Sequence, residues 1–162
     1  MRKYSRKKRI VAINRAKRFI KKVLGKIEPR NKSFSVCFPL SIYLDSYNIK
    51  NKIIGCIYHH KNRAFPHFYL QIESINFAID PAIRHFNNKG SRIYFGPPTP
   101  NYIDKEYRFD DTYAIWKKGL TDPNYLRERR LKFAEFEKIY NRALRMLSLT
   151  ADTGKLKLYH IQ

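Results

Sequence analysis

Between residues 67 and 81 the chain reads HFYLQIESINFAIDP, two runs in which apolar and polar residues alternate with the period of two that a half-buried strand requires. Phe68, Leu70 and Ile72 alternate with His67, Tyr69 and Gln71, and Ile75, Phe77 and Ile79 with Asn76, Ala78 and Asp80. A slip of one residue between two such strands sends an apolar row to the wrong face, so the pattern restricts their pairing strongly. With Glu73-Ser74 as a two-residue turn, Ile72 faces Ile75, Leu70 faces Phe77, Phe68 faces Ile79 and His67 faces Asp80. Directly opposed residues have Cβ atoms about 5 Å apart, close enough for an imidazole N–H to donate to a carboxylate.

A His–Asp pair is half of a nucleophilic triad, in which the carboxylate sets the imidazole tautomer and the imidazole acts as base. The same residues also suit a structural role, His67 capping one strand and Asp80 opening the Asp-Pro turn that ends the next. The choice turns on a nucleophile. Cys56 lies in KIIGCIY, an apolar run that reads as a strand over Lys52–Tyr58, where a thiol behaves as a small buried hydrophobe. Cys37 lies in NKSFSVCFPLSIYLDSYNI, where Pro39 suits the first turn of a helix, so the helix is expected to begin near Cys37 or Phe38. A thiol at that position meets the positive end of the helix dipole, which predicts a lowered pKa. The Cys37 backbone N–H at the helix start would also serve as one oxyanion donor.

A helix opening at cysteine, a strand, a strand opening with histidine and a strand closing with aspartate follow in that order. This order resembles the transglutaminase-like branch of the papain superfamily over about Cys37 to Phe86. Cys37, Ser41 and Leu44 are similar to the family's cysteine with a small residue and a leucine four and seven positions on; Gly55 matches a glycine in the next strand. HFYL stands where a histidine-aromatic-Trp-hydrophobic stretch is usual, with Tyr69 replacing the tryptophan, and AIDPAIRHF matches a closing Ile-Asp-Pro followed by phenylalanine. Leader peptidases of lasso-peptide biosynthesis resemble the first part, other bacterial transglutaminase-like proteins the second. The resemblance implies acyl transfer through a thioester on Cys37, with His67 moving the proton and Asp80 orienting His67. Asn31 stands six residues before Cys37, the offset at which papain-like enzymes carry a glutamine, and is a candidate oxyanion donor or simply a polar linker residue after Pro29. The implied substrate is a peptide, a protein or a Gln side chain.

With 162 residues the chain supports one domain with a real core. Its charge of +21 is uneven, because residues 1–32 hold fourteen Lys/Arg and one Glu. Ile10, Ile13, Ala16, Phe19, Ile20, Val23, Leu24 and Ile27 recur there at helical spacing, so residues 1–30 read as a basic amphipathic helix preceding a hydrolase domain over 31–162. Its basic face suits nucleic acid, an anionic lipid surface or an acidic protein, or is a solvated face over a docked stripe. No run reaches the length of a membrane span, and the apolar run Ile10–Ile13 is too short for a signal peptide. Two cysteines make no disulfide framework; together these features predict a cytoplasmic protein. No cofactor is expected, because Gly-rich phosphate loops and spaced metal ligands are missing; His59 and His60 in YHHKNR read as a solvated basic loop.

SRIYF reads as a further strand, and GPPTPNYIDKEYRFDDTY as an irregular arm barred from regular structure by its prolines. Asp122-Pro123 opens a helix through about Leu147, with Phe133, Phe136, Tyr140, Leu144 and Leu147 on one face. The expected fold is α+β: a small antiparallel sheet packed on a Cys-bearing helix, flanked by the basic N-terminal helix and a long C-terminal helix. The expected function is cysteine-dependent hydrolysis or acyl transfer, covering peptide cleavage, Gln deamidation or transglutamination. The alternative is a basic nucleic-acid-binding or protein-interaction module without catalysis.

Overall fold

The computed structural model describes residues 2–72, 75–83, 92–99, 102–104, 124, 127 and 133–148. In chain order the elements are α1 (Arg2–Leu24), α2 (Ser33–Asp45), β1 (Asn51–His60), β2 (Arg63–Ile72), β3 (Phe77–Asp80), β4 (Tyr94–Gly96), β5 (Tyr102–Asp104) and α3 (Phe133–Ser148). The strands form one antiparallel sheet in the order β4-β3-β2-β1-β5. The protein is therefore α+β.

Lys61 and Asn62 join β1 to β2, both at positive φ (46° and 60°), the backbone of a two-residue hairpin turn whose twist suits the strands it joins. This turn fixes ten residue pairs, from His60 opposite Arg63 to Asn51 opposite Ile72. It also carries β1 through His59 and His60, so these two histidines stand at the end of a strand and not in a basic loop. Proline does not bar the later arm either. Tyr102–Asp104 pairs with Cys56–Tyr58 as β5, beyond the proline-rich stretch, where each residue has an N–H to donate.

The sheet uses its two faces differently. Phe68, Leu70, Ile72, Phe77 and Ile79 meet the helices in the main core, with Val36, Leu40 and Leu44 of α2 and Phe136 and Ile139 of α3. Cys56, Tyr58, Tyr69 and Ala78 form a second buried cluster, which alternation puts on the other face. α1 joins the main core through Ala12, Ala16, Phe19, Ile20, Val23 and Leu24, sharing one apolar interior with the rest of the chain. Ile10 falls outside this stripe at 49% exposed. The guanidinium of Arg9 and the ammonium of Lys17 lie 5.7 and 5.6 Å from the ring centres of Phe77 and Phe95, so the cationic side of α1 also rests against β3 and β4.

The end of α1 is closed by arginines from distant segments. Arg142 Nη1 donates to the Val23 and Leu24 carbonyls at 3.2 and 3.1 Å, and Arg92 donates to those of Gly25 and Ile27. Gly25 itself has φ +56°, the left-handed conformation that lets the chain leave the helix. A Cβ there would lie 3.1 Å from Arg142 Nη1, so the arginine and a side chain at 25 compete for the same space. Lys32, nearly buried, fastens the start of α2 to α3 through Glu135 Oε2 at 3.2 Å.

α2 begins at Ser33, a turn earlier than its proline suggests, with Pro39 inside the helix. An interior proline costs about 3 kcal/mol, whereas full burial of a side chain such as Val36, Phe38 or Leu40 contributes about 1.5–3 kcal/mol each, so the packing outweighs the lost hydrogen bond. Phe34, with its ring 5.0 Å from that of Phe68, anchors this added turn to β2. In α3, Phe136, Ile139, Ala143, Met146 and Leu147 are buried, with Tyr140 and Leu144 flanking them. The expected helix start at Asp122-Pro123 and the Glu73-Ser74 turn lie outside the described residues.

The placement of α1 is tested by two truncations. Phe19→Ala should destabilise the protein by about 3–5 kcal/mol in denaturant unfolding, whereas Ile10→Ala should change it by less than about 0.5 kcal/mol. Equal effects would mean that α1 is rotated from the orientation described.

Candidate active site

Asp80 and His67 meet. His67 Nε2 lies 2.7 Å from Asp80 Oδ2, with His67 2% and Asp80 0% exposed. A carboxylate only accepts, so against it the imidazole carries its hydrogen on Nε2, and Nδ1 is the nitrogen through which it would act as base. The second carboxylate oxygen, Oδ1, accepts the Ala82 backbone N–H at 2.9 Å, an Asx turn across Pro81. One side chain therefore performs both roles that its sequence suggested: Oδ1 shapes the Asp-Pro turn and Oδ2 holds the histidine.

The pairing that brings them together differs from the expected one by two residues. β2 and β3 match Ile72 with Phe77, Gln71 with Ala78 and Leu70 with Ile79, leaving residues 73–76 as a four-residue connection. Asn76 takes a left-handed φ of 37° in it, and the Ile75 N–H donates to the Ile72 carbonyl at 3.3 Å. Asp80 thus continues opposite Tyr69, with His67 its diagonal neighbour. A shift of two preserves every residue's face, and diagonal neighbours remain within reach of a long side chain.

Cys37 departs further from expectation. It is the fifth residue of α2, not the first, so its N–H belongs to the helical hydrogen-bond ladder and the dipole end lies a turn away. It is fully buried in the core on the helix side of the sheet, and its thiol donates to the Phe68 carbonyl at 3.5 Å, not to His67. Burial, followed by the neighbouring charges of Asp80 and Cys56, pushes its pKa well above the ordinary thiol value. The lowered pKa expected of a helix-start thiol is overturned, because the helix starts at Ser33. Asn31 is exposed in the turn before α2 at φ 59°, a left-handed position that asparagine commonly fills.

The hairpin turn reveals a second thiol that sequence patterning had set aside. Cys56 is the direct cross-strand partner of His67 and is fully buried. Tyr58 shares this face, its ring centre 5.9 Å from that of His67 in an edge-on arrangement. The signal lay in reading Lys61-Asn62 as a two-residue loop, which sets Cys56 opposite His67 by counting outward. β5 adds Asp104 as the Cα partner of Cys56 on its other side. The site is thus an oriented His–Asp pair with two closed thiols, Cys56 facing His67 across the strand and Cys37 held at the adjacent carbonyl. Among the described residues no group of three or more His, Cys, Asp or Glu is placed to hold a metal ion. His85 and His160 lie outside the described residues.

No family model matches the chain, and neither a curated protein nor a solved structure shows a significant match to it.

The raised Cys37 pKa has a consequence for stability. Above pH about 8.5 the unfolded chain loses its thiol proton while the folded one keeps it, so folding stability falls as pH rises, by up to about 1.4 kcal/mol per pH unit, until the folded thiol ionises. Cys37→Ala should flatten this alkaline loss in denaturant titrations from pH 8 to 10. An unchanged slope would mean that the Cys37 thiol titrates normally.

Proposed function

We propose that the chain is a cysteine-dependent acyl-transfer enzyme of transglutaminase-like, papain-superfamily architecture, acting on a peptide bond or a Gln side chain. The observation that carries this reading is the buried 2.7 Å contact between His67 and Asp80. Replacing a buried ionic or polar pair by well-packed apolar residues is commonly neutral or stabilising, and the Asp-Pro turn uses only Oδ1, so the turn does not account for the buried imidazole on Oδ2. Orienting an imidazole is what the arrangement does well.

Cys37 is the assigned nucleophile. Its thiol already touches the backbone next to His67, at the Phe68 carbonyl, whereas Cys56 is mid-strand between two paired neighbours. In the reaction the Cys37 Sγ forms a bond to the substrate carbonyl carbon while the thiol proton passes to His67 Nδ1. The C–N bond then breaks, His67 returns that proton to the departing amine or ammonia, and a thioester remains. Water or an amine attacks the thioester and regenerates the thiol. A thiol that burial keeps protonated requires attack and proton transfer to be coupled. Because Cys37 lies on the helix side of the sheet and His67 on the other, the reaction also requires a rearrangement of α2 and β2 that brings thiol and imidazole together and admits the substrate.

The test is intact-mass analysis of cell extract incubated with the protein, seeking a cleaved, deamidated or cross-linked target. Cys37→Ala and His67→Ala should abolish the product, and Asp80→Asn should slow its formation by orders of magnitude, as about 10⁴ is lost when a triad aspartate is made amide. Cys56→Ala should retain it. Product formed at full rate by Cys37→Ala would refute the nucleophile, and loss on Cys56→Ala alone would transfer that role across the strand.

One observation favours a second reading, attraction to nucleic acid without catalysis: α1 exposes Arg6, Lys7 and Lys21 and contains no acidic residue. Binding to duplex or single strands should then weaken steeply with salt. It should also weaken on Lys7→Glu with Lys21→Glu, which spare the apolar stripe that a truncation would remove. Binding indifferent to salt and to both substitutions would exclude this reading.

A further inference from the structure

Away from the His67–Asp80 pair, α1, α2 and α3 border a half-open cleft of about 510 Å³. α1 lines it with Arg18 and Lys22, α2 with Tyr43, the turn after α2 with Tyr47, and α3 with Arg142 and Arg145. Arg18 and Lys22, four residues apart, and Arg142 and Arg145, three apart, each share one side of their helix. Arg18, Lys22 and Arg145 are exposed at the rim, while Tyr43 is 1% exposed and forms the floor. The two tyrosine rings meet edge-on at 5.1 Å, and the Arg15 guanidinium lies 3.8 Å from the centre of the Tyr47 ring.

Four cations around one concavity repel one another, and no lining residue is acidic. The ion pairs among the described residues, Lys32–Glu135 and His67–Asp80, lie elsewhere. The helices offset part of this charge, since all three contribute residues from their last turns. A helix C-terminus carries roughly −0.5 of an elementary charge, so three provide about −1.5 and leave an excess of about +2.5. Arg142 spends Nη1 on the α1 carbonyls, which accounts structurally for that residue. Arg18 and Arg145 have no such explanation. Burial, then Tyr47, raise the pKa of the Tyr43 phenol against the opposing influence of Arg18 and Arg15, so the phenol keeps its proton and is a donor at neutral pH.

We infer that this cavity binds a nucleotide-sized small molecule bearing two to three negative charges on phosphate, of the nucleoside diphosphate class. The volume falls in the roughly 300–1,000 Å³ range of small-ligand sites, larger than a bare phosphate needs. Guanidinium forks at Arg18 and Arg145 match phosphate oxygens in pairs, Lys22 adds a point charge, the remaining Arg142 donors add to them, and the half-buried Tyr47 ring gives limited apolar contact to a nucleoside. The concave shape focuses the positive potential and sets this place apart from the convex cationic face of α1.

The experiment is isothermal titration of the full chain with adenosine diphosphate, repeated with pyrophosphate and with a single-stranded oligonucleotide. Arg18→Ala combined with Arg145→Ala removes two exposed cavity cations; Arg6→Ala combined with Lys7→Ala removes the same charge from elsewhere on α1. The cavity variant should lose at least about tenfold in affinity for the diphosphate, the scale of one charge-assisted contact, while the control stays within about twofold. Pyrophosphate should compete. No heat of binding at millimolar nucleotide, equal losses in both variants, or binding of the oligonucleotide alone would each overturn the assignment. Thermal unfolding of both variants should match the parent, because none of the four side chains is buried.

Discussion

The register of three consecutive strands governs what this protein can do. The left-handed pair Lys61-Asn62 locks β1 to β2, and the pairing of Leu70–Ile72 with Phe77–Ile79 sets β3 beside them. Once these are set, alternation sends Leu70, Ile72, Phe77 and Ile79 toward the helices, and Cys56, His67, Tyr69 and Asp80 to the other face. A slip of one residue in either hairpin would bury a charged group in the main core and expose a row of large apolar side chains. Core packing and site geometry are thus the same constraint.

That constraint sets a tension between stability and reactivity. A thiol, an imidazole and a carboxylate are all held almost entirely out of water, which rigidifies the His67–Asp80 contact but opposes a thiolate at Cys37. Low dielectric strengthens the oriented pair and penalises an unpaired charge beside it by the same physics. A resting state with a neutral, closed thiol is therefore the natural consequence of the packing, and the reaction proposed at Cys37 would require α2 to move relative to β2. Pro39, which removes one ladder hydrogen bond from the middle of α2, weakens the helix at the turn that carries Cys37.

The basic surplus is distributed with similar economy. Part of it serves the fold: Arg92 and Arg142 satisfy carbonyls at the end of α1, Lys32 reaches Glu135, and Arg9 and Lys17 lie against aromatic rings. What remains divides between the open face of α1 and the concavity shared by three helices. Those two places favour different anions, because a convex face follows an extended backbone whereas a half-open cleft receives a compact ligand.

Much of this was legible in the residues themselves. The period of two in HFYL and NFAID specified strands and kept His67 and Asp80 on one face, and the Lys/Arg-framed stripe from Ala16 to Leu24 specified α1. These are local properties, written by alternation and helical spacing. The pairing partner was not local: β3 pairs with β2 two residues away from the register that a 73–74 turn implies, a change that alternation is blind to because it preserves faces. Nor was the start of α2. Proline predicted a helix opening at Cys37, but the apolar side chains from Phe34 to Leu40 gain more by packing on β2 than one hydrogen bond loses, and that comparison exists only once the sheet is present. The environment of Cys37, the partnership of Cys56 with His67 and the cavity floored by Tyr43 were decided by tertiary structure alone, because each depends on residues distant in the chain being brought to one place.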